Sequence, residues 1–206
     1  MAKHMNTLLF LGDSITDCGR SSEGGLGHGY VGMLSQSFPK DYLFINRGLD
    51  GLTSSGILRQ WRHYLKTGDT PAVVSILVGI NDVGMVMNTG FSEEQALKYY
   101  RHDLETIVAE AINKGSRVIL TEPFIFPRPS EYIHWEPCVM HFCAQVRDIA
   151  VKNGACLIAP KEHFGIAASR SHLGWGQVTT DGIHLTDEGH RILAALWRDT
   201  FFAKMN

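Results

Sequence analysis

Two segments far apart in the chain carry residue types that together could perform acyl transfer. Ser14 follows Gly12 and Asp13 at the end of an apolar run, where a sharp turn can project its hydroxyl near the start of a helix. Asp181 and His184 lie three positions apart, so the carboxylate can accept the Nδ1 proton and leave Nε2 facing outward. Taken separately, the serine is also typical of a helix cap, and the Asp–His pair of a helix start. Together they predict a nucleophile, a general base and a group that orients the base.

Two further residues could stabilise the oxyanion that develops in such a reaction. Asn81 offers a side-chain amide donor just after an apolar run, and Gly51 offers a backbone N–H in a loop where no Cβ obstructs a substrate. Each of them is also explained by turn chemistry alone. Turn chemistry does not readily explain all of these features in one chain, so the set indicates a site for acyl transfer.

Five short apolar runs, each bounded by Gly or Pro, predict the strands that position these residues. They cover residues 8–11, 42–45, 72–78, 117–120 and 155–159. Three segments show helical periodicity. The first follows a capping box at residues 92–95, the second covers residues 139–150, and the third begins after Thr186, its expected N-cap. This alternation predicts an α/β fold with three layers, α/β/α, and a five-stranded parallel sheet. The carboxyl ends of the strands would form the ligand-binding edge.

Residues 123–137 differ in composition from the rest of the chain. They carry four prolines among four aromatic residues and follow the fourth predicted strand. The segment is expected to form an irregular flap over the ligand-binding edge or a contact between copies of the chain, and the sequence does not separate these two possibilities.

The amino-acid composition limits which class of protein this chain can be and which partners it can bind. The 206 residues include 21 acidic and 19 basic ones, a formal charge of −2 that excludes a broad nucleic-acid footprint. No stretch approaches the roughly 20 apolar residues of a membrane span, and no secretory signal is visible. Four cysteines without a Cys-x-x-Cys pair predict free thiols in a reducing cytoplasm. We expect one domain over residues 1–206, with residues 1–5 disordered or foreign to it. We also expect a cytoplasmic homo-oligomer with no nucleic-acid or membrane partner.

Four sequence blocks, in this order, resemble the SGNH, or GDSL-type, hydrolase superfamily. They are GDSITD at residues 12–17, NRGLDG at 46–51, GIND at 79–82 and DGIH at 181–184. Each block alone is a weak signal, but the ordered set spans nearly the whole chain. The first block, FLGDSITDCGR, together with the later LGHGYV, is similar to the intracellular acetylxylan-esterase branch. Members of that branch remove acetyl groups from xylo-oligosaccharides.

The resemblance implies a flavodoxin-like SGNH fold and a Ser-His-Asp acyl-enzyme mechanism without metal or cofactor. Ser14, Asp181 and His184 would form the catalytic triad. The backbone N–H groups of Ser14 and Gly51 and the side chain of Asn81 would form the oxyanion hole. The implied substrate is a small-molecule or oligosaccharide ester.

Two residues depart from the family pattern, and both affect what can be expected of the pocket. Asp50 occupies a position that is often Ser, which puts a carboxylate beside the oxyanion-hole glycine, and Leu185 stands where Pro is common. Acyl length depends on pocket depth, so a lysophospholipase or acyl-thioesterase with the same triad is the alternative. A remote alternative is a non-enzymatic nucleotide-binding module, because residues 27–32 match G-x-G-x-x-G, although not directly after a strand.

Three residues are candidates for contact with substrate. Asp13 lies beside the predicted nucleophile, and the rings of Tyr30 and Trp175 could stack on a sugar, although aromatic residues are also ordinary core residues. Trp175 is the strongest of them because it lies between two glycines just before the Asp–His segment. The first block resembles that of acetylxylan esterases, and no long apolar segment near the four blocks could line a deep acyl tunnel. On the basis of that resemblance and this absence, we predict acetyl esters of carbohydrates as substrates.

Overall fold

A five-stranded parallel sheet forms the centre of the computed structural model, which describes residues 6–21, 24–67 and 69–204. The strands are β1 (Asn6–Gly12), β2 (Tyr42–Asn46), β3 (Val73–Leu77), β4 (Arg117–Thr121) and β5 (Cys156–Ile158). They pair in the order β2-β1-β3-β4-β5, and every pairing is parallel. All five predicted strands are confirmed, each end within two residues. The expectation for residues 1–5 lies outside the described residues.

Helices connect the strands and cover the sheet. They are α1 (Ser14–Asp17), α2 (Tyr30–Ser37), α3 (Ser54–Thr67), α4 (Ile80–Thr89), α5 (Glu93–Asn113), α6 (Glu136–Asn153), α7 (Lys161–Arg170) and α8 (Asp187–Lys204), with short 3-10 helices at Ser130–Trp135 and Gly174–Gln177. The predicted caps are confirmed. Ser92 accepts the N–H of Gln95, and the hydroxyl of Thr186 accepts the N–H of Gly189.

Two apolar cores, one on each face of the sheet, make the structure a three-layer α/β/α sandwich. Side chains alternate along a strand, so Leu9 and Leu11 of β1 face one core, and Leu8 and Phe10 face the other. The first core contains residues of α3, α4, α5 and α6, and the second contains residues of α1, α2, α7 and α8. This is the predicted flavodoxin-like architecture.

The strand order places a crevice at the carboxyl ends of β1 and β3. The chain passes from β1 to β2 on one side and then returns to β3 on the other side of β1. Connections that leave in opposite directions open a crevice between the two strand ends, and ligands of open α/β sheets bind there. Ser14 follows β1 and Asn81 follows β3, so both lie at this point.

The proline-rich segment after β4 packs against the loop that contains Asp181. Phe124, Phe126 and Trp135 are buried, at 2%, 2% and 6% exposure, whereas Ile133 is 54% exposed. The N–H of Phe126 donates to the carbonyl of Gly182 at 2.9 Å, which ties the segment to that loop. The buried part of the segment therefore supports the loop at the ligand-binding edge.

Among the helices of the described residues, none combines the length and the apolar character that crossing a membrane requires.

Candidate active site

A tight turn between β1 and α1 presents Ser14. A Cβ on Gly12 would lie 2.0 Å from Thr16 Oγ1 and 2.8 Å from the carbonyl oxygen of Leu77, so only glycine fits there. The carboxylate of Asp13 then accepts the N–H of Ile15 at 3.1 Å and caps α1. Ser14 consequently stands at the first position of the helix, where backbone N–H groups have no partner within the helix.

The structure brings Ser14, His184 and Asp181 together in one hydrogen-bonded line. Ser14 Oγ lies 2.9 Å from Nε2 of His184, and Nδ1 of the same ring lies 2.6 Å from Asp181 Oδ2. The His184 and Asp181 side chains are 47% and 51% exposed. Partial burial acts to raise the pKa of Asp181, but hydrogen bonds from His184 and Ile183 outweigh it and hold the pKa below its ordinary value. The carboxylate is thus kept ionised beside the imidazole.

The loop from Thr179 to His184 is braced independently of the triad. The Thr179 hydroxyl donates to the His184 carbonyl at 2.8 Å and accepts the Gly182 N–H at 2.9 Å. A Cβ on Gly182 would lie 2.7 Å from both the Arg128 carbonyl oxygen and the Tyr132 ring. Close packing against the proline-rich segment therefore fixes the position of Asp181 and His184.

Three N–H groups are candidates to bind an oxyanion, namely the backbone N–H groups of Ser14 and Gly51 and the side-chain amide of Asn81. Gly51 has φ of +72°, a conformation that L residues rarely adopt, and a Cβ there would meet nothing within 4 Å. Asn81 donates one amide hydrogen to the Leu52 carbonyl at 3.0 Å, and its second amide hydrogen is available. No described backbone acceptor takes the N–H of Gly51 or of Ser14. This arrangement can donate to a developing oxyanion.

Asn46 and Asp17 hold the loop that follows β2 and contains Gly51, called the Gly51 loop below, against α1. The Asn46 amide donates to the Thr16 carbonyl at 2.7 Å and accepts the Gly48 N–H at 2.8 Å. Buried Asp17 accepts the N–H of Asp50 at 3.3 Å. Both residues belong to the four sequence blocks, but the spacing of those blocks does not predict that Asn46 and Asp17 position this loop.

Two buried carboxyls lie behind the site. Burial raises the pKa of Asp13 to about 7, with a further rise from the charge of Asp82. Burial likewise raises the pKa of Asp82 to about 6, against hydrogen bonds from Ser54 that lower it. Ser54 Oγ lies 2.8 Å from Asp82 and 3.1 Å from Asp103. Ser55 Oγ donates to the same Asp103 oxygen at 2.7 Å, so neighbouring serine hydroxyls supply donors to both carboxyls.

The structure corrects two of the three expected substrate contacts. Asp13 is 1% exposed and serves as a helix cap. Tyr30 is 2% exposed, its hydroxyl lies 3.1 Å from Thr16 Oγ1, and its ring packs edge-on to Phe10. Neither side chain is accessible to a sugar.

Trp175 is partly exposed, but it lies on a different cavity. Its ring packs against Phe126 at 5.6 Å between ring centroids. It lines a cavity of about 500 Å³ whose walls include Glu122 and Arg147. Ser14, Asp181 and His184 are not among the residues that line this cavity. The expected stacking of a sugar beside the scissile ester is not supported for this ring.

His190 is a buried residue that the sequence analysis does not identify. It is 4% exposed, accepts the Tyr30 N–H at Nδ1, and places Nε2 3.4 Å from Cys18 Sγ. Burial lowers its pKa to about 4, so the ring is neutral. Its spacing from Leu193 and Trp197 was the available signal, because all three share the buried face of α8.

The G-x-G-x-x-G match at residues 27–32 has a packing explanation. A Cβ on Gly27 would lie 2.5 Å from the Cys18 carbonyl oxygen, and one on Gly32 would lie 2.0 Å from the Gly27 carbonyl oxygen. These glycines let α2 approach the turn after α1. Within residues 6–21, 24–67 and 69–204, no group of three His, Cys, Asp or Glu side chains is placed to hold a metal ion.

Comparison with known proteins finds relatives over nearly the whole chain. The sequence pattern of the GDSL-like Lipase/Acylhydrolase family matches residues 10–192. An acetylxylan esterase from Geobacillus stearothermophilus is 30% identical, over 91% of this chain and 90% of that protein. LAE5, an alpha/beta hydrolase enzyme from the metagenome of Lake Arreo, Spain, has a TM-score of 0.81 at 25% identity, over 95% of this chain and 94% of LAE5. A catalytic mutant of Axe2, an acetylxylan esterase from Geobacillus stearothermophilus, has a TM-score of 0.81 at 26% identity, over 95% and 93% of the two chains.

Proposed function

Because the chain belongs to the GDSL-like lipase/acylhydrolase family and is a carboxylic ester hydrolase, we propose that it hydrolyses short acyl esters through Ser14, His184 and Asp181. Its main substrates would be acetyl groups on carbohydrates such as xylo-oligosaccharides. The observation that carries the proposal is the hydrogen-bonded line from Ser14 Oγ through the imidazole to Asp181 Oδ2.

The first half of the reaction forms an acyl-enzyme. The Nδ1–H of His184 donates to Asp181, which leaves Nε2 free to accept the hydroxyl proton of Ser14. The Ser14 oxygen attacks the ester carbonyl carbon and gives a tetrahedral intermediate. The imidazolium then returns the proton to the leaving alkoxide, the carbon–oxygen bond breaks, and the alcohol departs.

The second half regenerates the enzyme. Water gives a proton to Nε2 and attacks the acyl carbon, and the proton then passes to Ser14 as the carboxylic acid leaves. In both halves the negative oxygen would accept hydrogen bonds from the N–H groups of Ser14 and Gly51 and from the amide of Asn81. Such donors accelerate the reaction because they bind the oxyanion more tightly than the ground-state carbonyl.

The exposure of the site favours a short acyl group. The side chains of His184 and Asp181 are about half exposed, and Gly51 is exposed as well. An acyl chain here would leave its outer methylenes in water, so it would not gain the roughly 0.8 kcal/mol that each buried methylene contributes. Acetyl esters should therefore be hydrolysed at least as efficiently as long-chain esters.

The relatives support the same assignment. Solved structures of Axe2 include catalytic mutants in which a serine, an aspartate or a histidine is replaced, and its aspartate and histidine are three positions apart, as Asp181 and His184 are here. Axe2 is an acetyl-xylooligosaccharide esterase. At 26–28% identity in the structural comparisons, the alcohol portion is the part of the proposal that most needs a direct test.

The decisive experiment compares three substrates and two serine variants. Ser14→Ala should lower kcat for p-nitrophenyl acetate by roughly 10⁴- to 10⁶-fold. Ser37→Ala, an exposed serine on α2, is the matched control and should behave like the wild type. Wild-type kcat/KM should be higher for p-nitrophenyl acetate than for the octanoate, and acetylated xylo-oligosaccharides should be deacetylated. Near-wild-type activity of Ser14→Ala would refute the mechanism, and a preference for octanoate would favour the lysophospholipase or thioesterase alternative.

A further inference from the structure

A pocket rich in arginine lies beside the Gly51 loop. It has a volume of about 450 Å³, within the range typical of ligand sites. Arg20, Arg47 and Arg59 come from three separate parts of the chain and all line it, and Leu49 and Leu52 form its apolar wall. We call this site the basic pocket. Its lining contains no aspartate or glutamate.

The positive charge of the basic pocket is poorly neutralised. In the described part of the chain, neither Arg47 nor Arg59 forms an ion pair, and both residues are exposed. Buried Asp17 accepts the backbone N–H groups of Arg20 and Asp50, and Asp50 is itself an exposed carboxylate next in the chain to the apolar wall of the pocket.

Hydrogen bonds connect the basic pocket to the proposed oxyanion hole. Leu49 and Leu52 flank Asp50 and Gly51, and the Leu52 carbonyl accepts the amide of Asn81. The side chain of Arg20 donates to the carbonyl of Gly48 at the start of the same loop. A molecule whose ester carbonyl lies at Gly51 therefore has the basic pocket within reach of its alcohol portion.

We propose that the basic pocket binds an anionic group, a carboxylate or a phosphate, carried on the alcohol portion of the ester substrate. The inference rests on the proposed function and extends it to a class of alcohol, an acidic sugar derivative. Guanidinium groups match both anions because their planar N–H forks bind two oxygens at once. The acyl group is too small to need such a site, whereas a sugar with a charged substituent fits a pocket of this volume.

The test compares acidic and neutral sugars of matched size. Methyl glucuronide, glucose 6-phosphate and methyl glucoside are each tested as inhibitors of p-nitrophenyl acetate hydrolysis, and each is also titrated into the Ser14→Ala protein by calorimetry. At least one acidic sugar should bind about tenfold or more tightly than the glucoside, as one charge-assisted hydrogen bond would produce. That preference should weaken with added sodium chloride because salt screens exposed charges.

A matched pair of variants on α3 locates the effect. Arg59→Gln and Arg62→Gln each remove one exposed guanidinium from the helix, but only Arg59 lines the basic pocket. Arg59→Gln should lower the preference for acidic sugar by about tenfold, and Arg62→Gln should leave it unchanged. Preference for the glucuronide identifies the anion as a carboxylate, and preference for glucose 6-phosphate identifies it as a phosphate.

Equal binding of all three sugars, or equal effects of the two substitutions, would overturn the inference. Failure of the proposed function looks different. In that case the wild type does not hydrolyse p-nitrophenyl acetate, while calorimetry on the Ser14→Ala protein still reports whether the basic pocket binds anions.

Discussion

Asp181→Asn separates the chemical role of this carboxylate from its structural role. Oδ1 accepts the backbone N–H groups of Ile183 and His184, and Oδ2 accepts Nδ1–H of the imidazole at 2.6 Å. Asparagine keeps an oxygen for the backbone N–H groups but turns an NH₂ group toward the ring. Nδ1 must then accept a hydrogen bond, so the ring proton moves to Nε2, which can no longer take the proton of Ser14.

The expected loss of activity is far larger than the loss of stability. An asparagine at this position of a serine-hydrolase triad lowers kcat by about 10⁴-fold, or roughly 5.5 kcal/mol in activation free energy. The His184 and Asp181 side chains are 47% and 51% exposed, and exposed ion pairs contribute about 1 kcal/mol or less to folding. The variant should therefore be folded and almost inactive.

Initial rates with p-nitrophenyl acetate and a thermal unfolding curve test both expectations together. Asp187→Asn is the matched control, because Asp187 is an exposed carboxylate at the start of α8 and none of its described hydrogen bonds reaches His184. It should retain activity close to the wild type. The reasoning is refuted if Asp181→Asn stays within an order of magnitude of wild-type kcat, or if its inactivity comes with unfolding.

Three further substitutions test the surroundings of the triad. Asn81→Ala should lower kcat by roughly 10²- to 10³-fold with a smaller change in KM, and a rise in KM alone would show that Asn81 holds substrate instead of the oxyanion. Burial raises the pKa of Asp13 to about 7 and that of Asp82 to about 6, so the folded state retains protons that the unfolded state releases near pH 4. Stability should therefore fall as pH rises from about 4 to about 7, and Asp13→Asn, which keeps the helix cap, should remove about 2.7 kcal/mol of the fall that urea unfolding measures between pH 5 and pH 8, because each of the two pH units from 5 to about 7 contributes roughly 1.4 kcal/mol. Asp50→Ser should raise kcat on a neutral ester by less than about fivefold, because unit charges 4 Å apart in water interact by about 1 kcal/mol, and a decrease in kcat would show that the carboxylate assists the reaction.

The parts of the fold that were predicted from sequence are those with a strong local signal. The five strands are continuous apolar runs ended by Gly or Pro, and parallel pairing brings their carboxyl ends to one edge whatever the details of the helices. For that reason the sequence also predicts that Ser14, Asn81 and the Asp–His segment meet. Because Asp181 and His184 are only three positions apart in the chain, their side chains are readily brought into contact by a tight loop.

The parts that could not be predicted depend on contacts between distant segments. Prolines and aromatics after β4 suit a flap over the ligand-binding edge or a contact between copies of the chain equally well, and the fit of Gly182 against Arg128 and Tyr132 becomes visible only in the folded structure. The contact of both Asp82 and Asp103 with the Ser54 hydroxyl could not be predicted for the same reason, because α4 and α5 must first pack together. Their separation of 21 positions carries no sign of the contact.

In the two proposals made above, catalysis and selectivity depend on different residues of this chain, although both sites adjoin the loop that contains Gly51. The Ser14–His184–Asp181 line would act on any accessible short ester, so it cannot by itself distinguish one alcohol from another. Discrimination has to come from groups that touch the alcohol, and the basic pocket lies beside the loop that contains Gly51. Because Leu49 donates its N–H to the Gly12 carbonyl at 3.1 Å, the wall of that pocket is attached directly to the turn that presents the nucleophile. An anion drawn into the pocket would therefore be positioned against the same backbone that holds the reacting serine, so binding energy from the alcohol can help orient the ester.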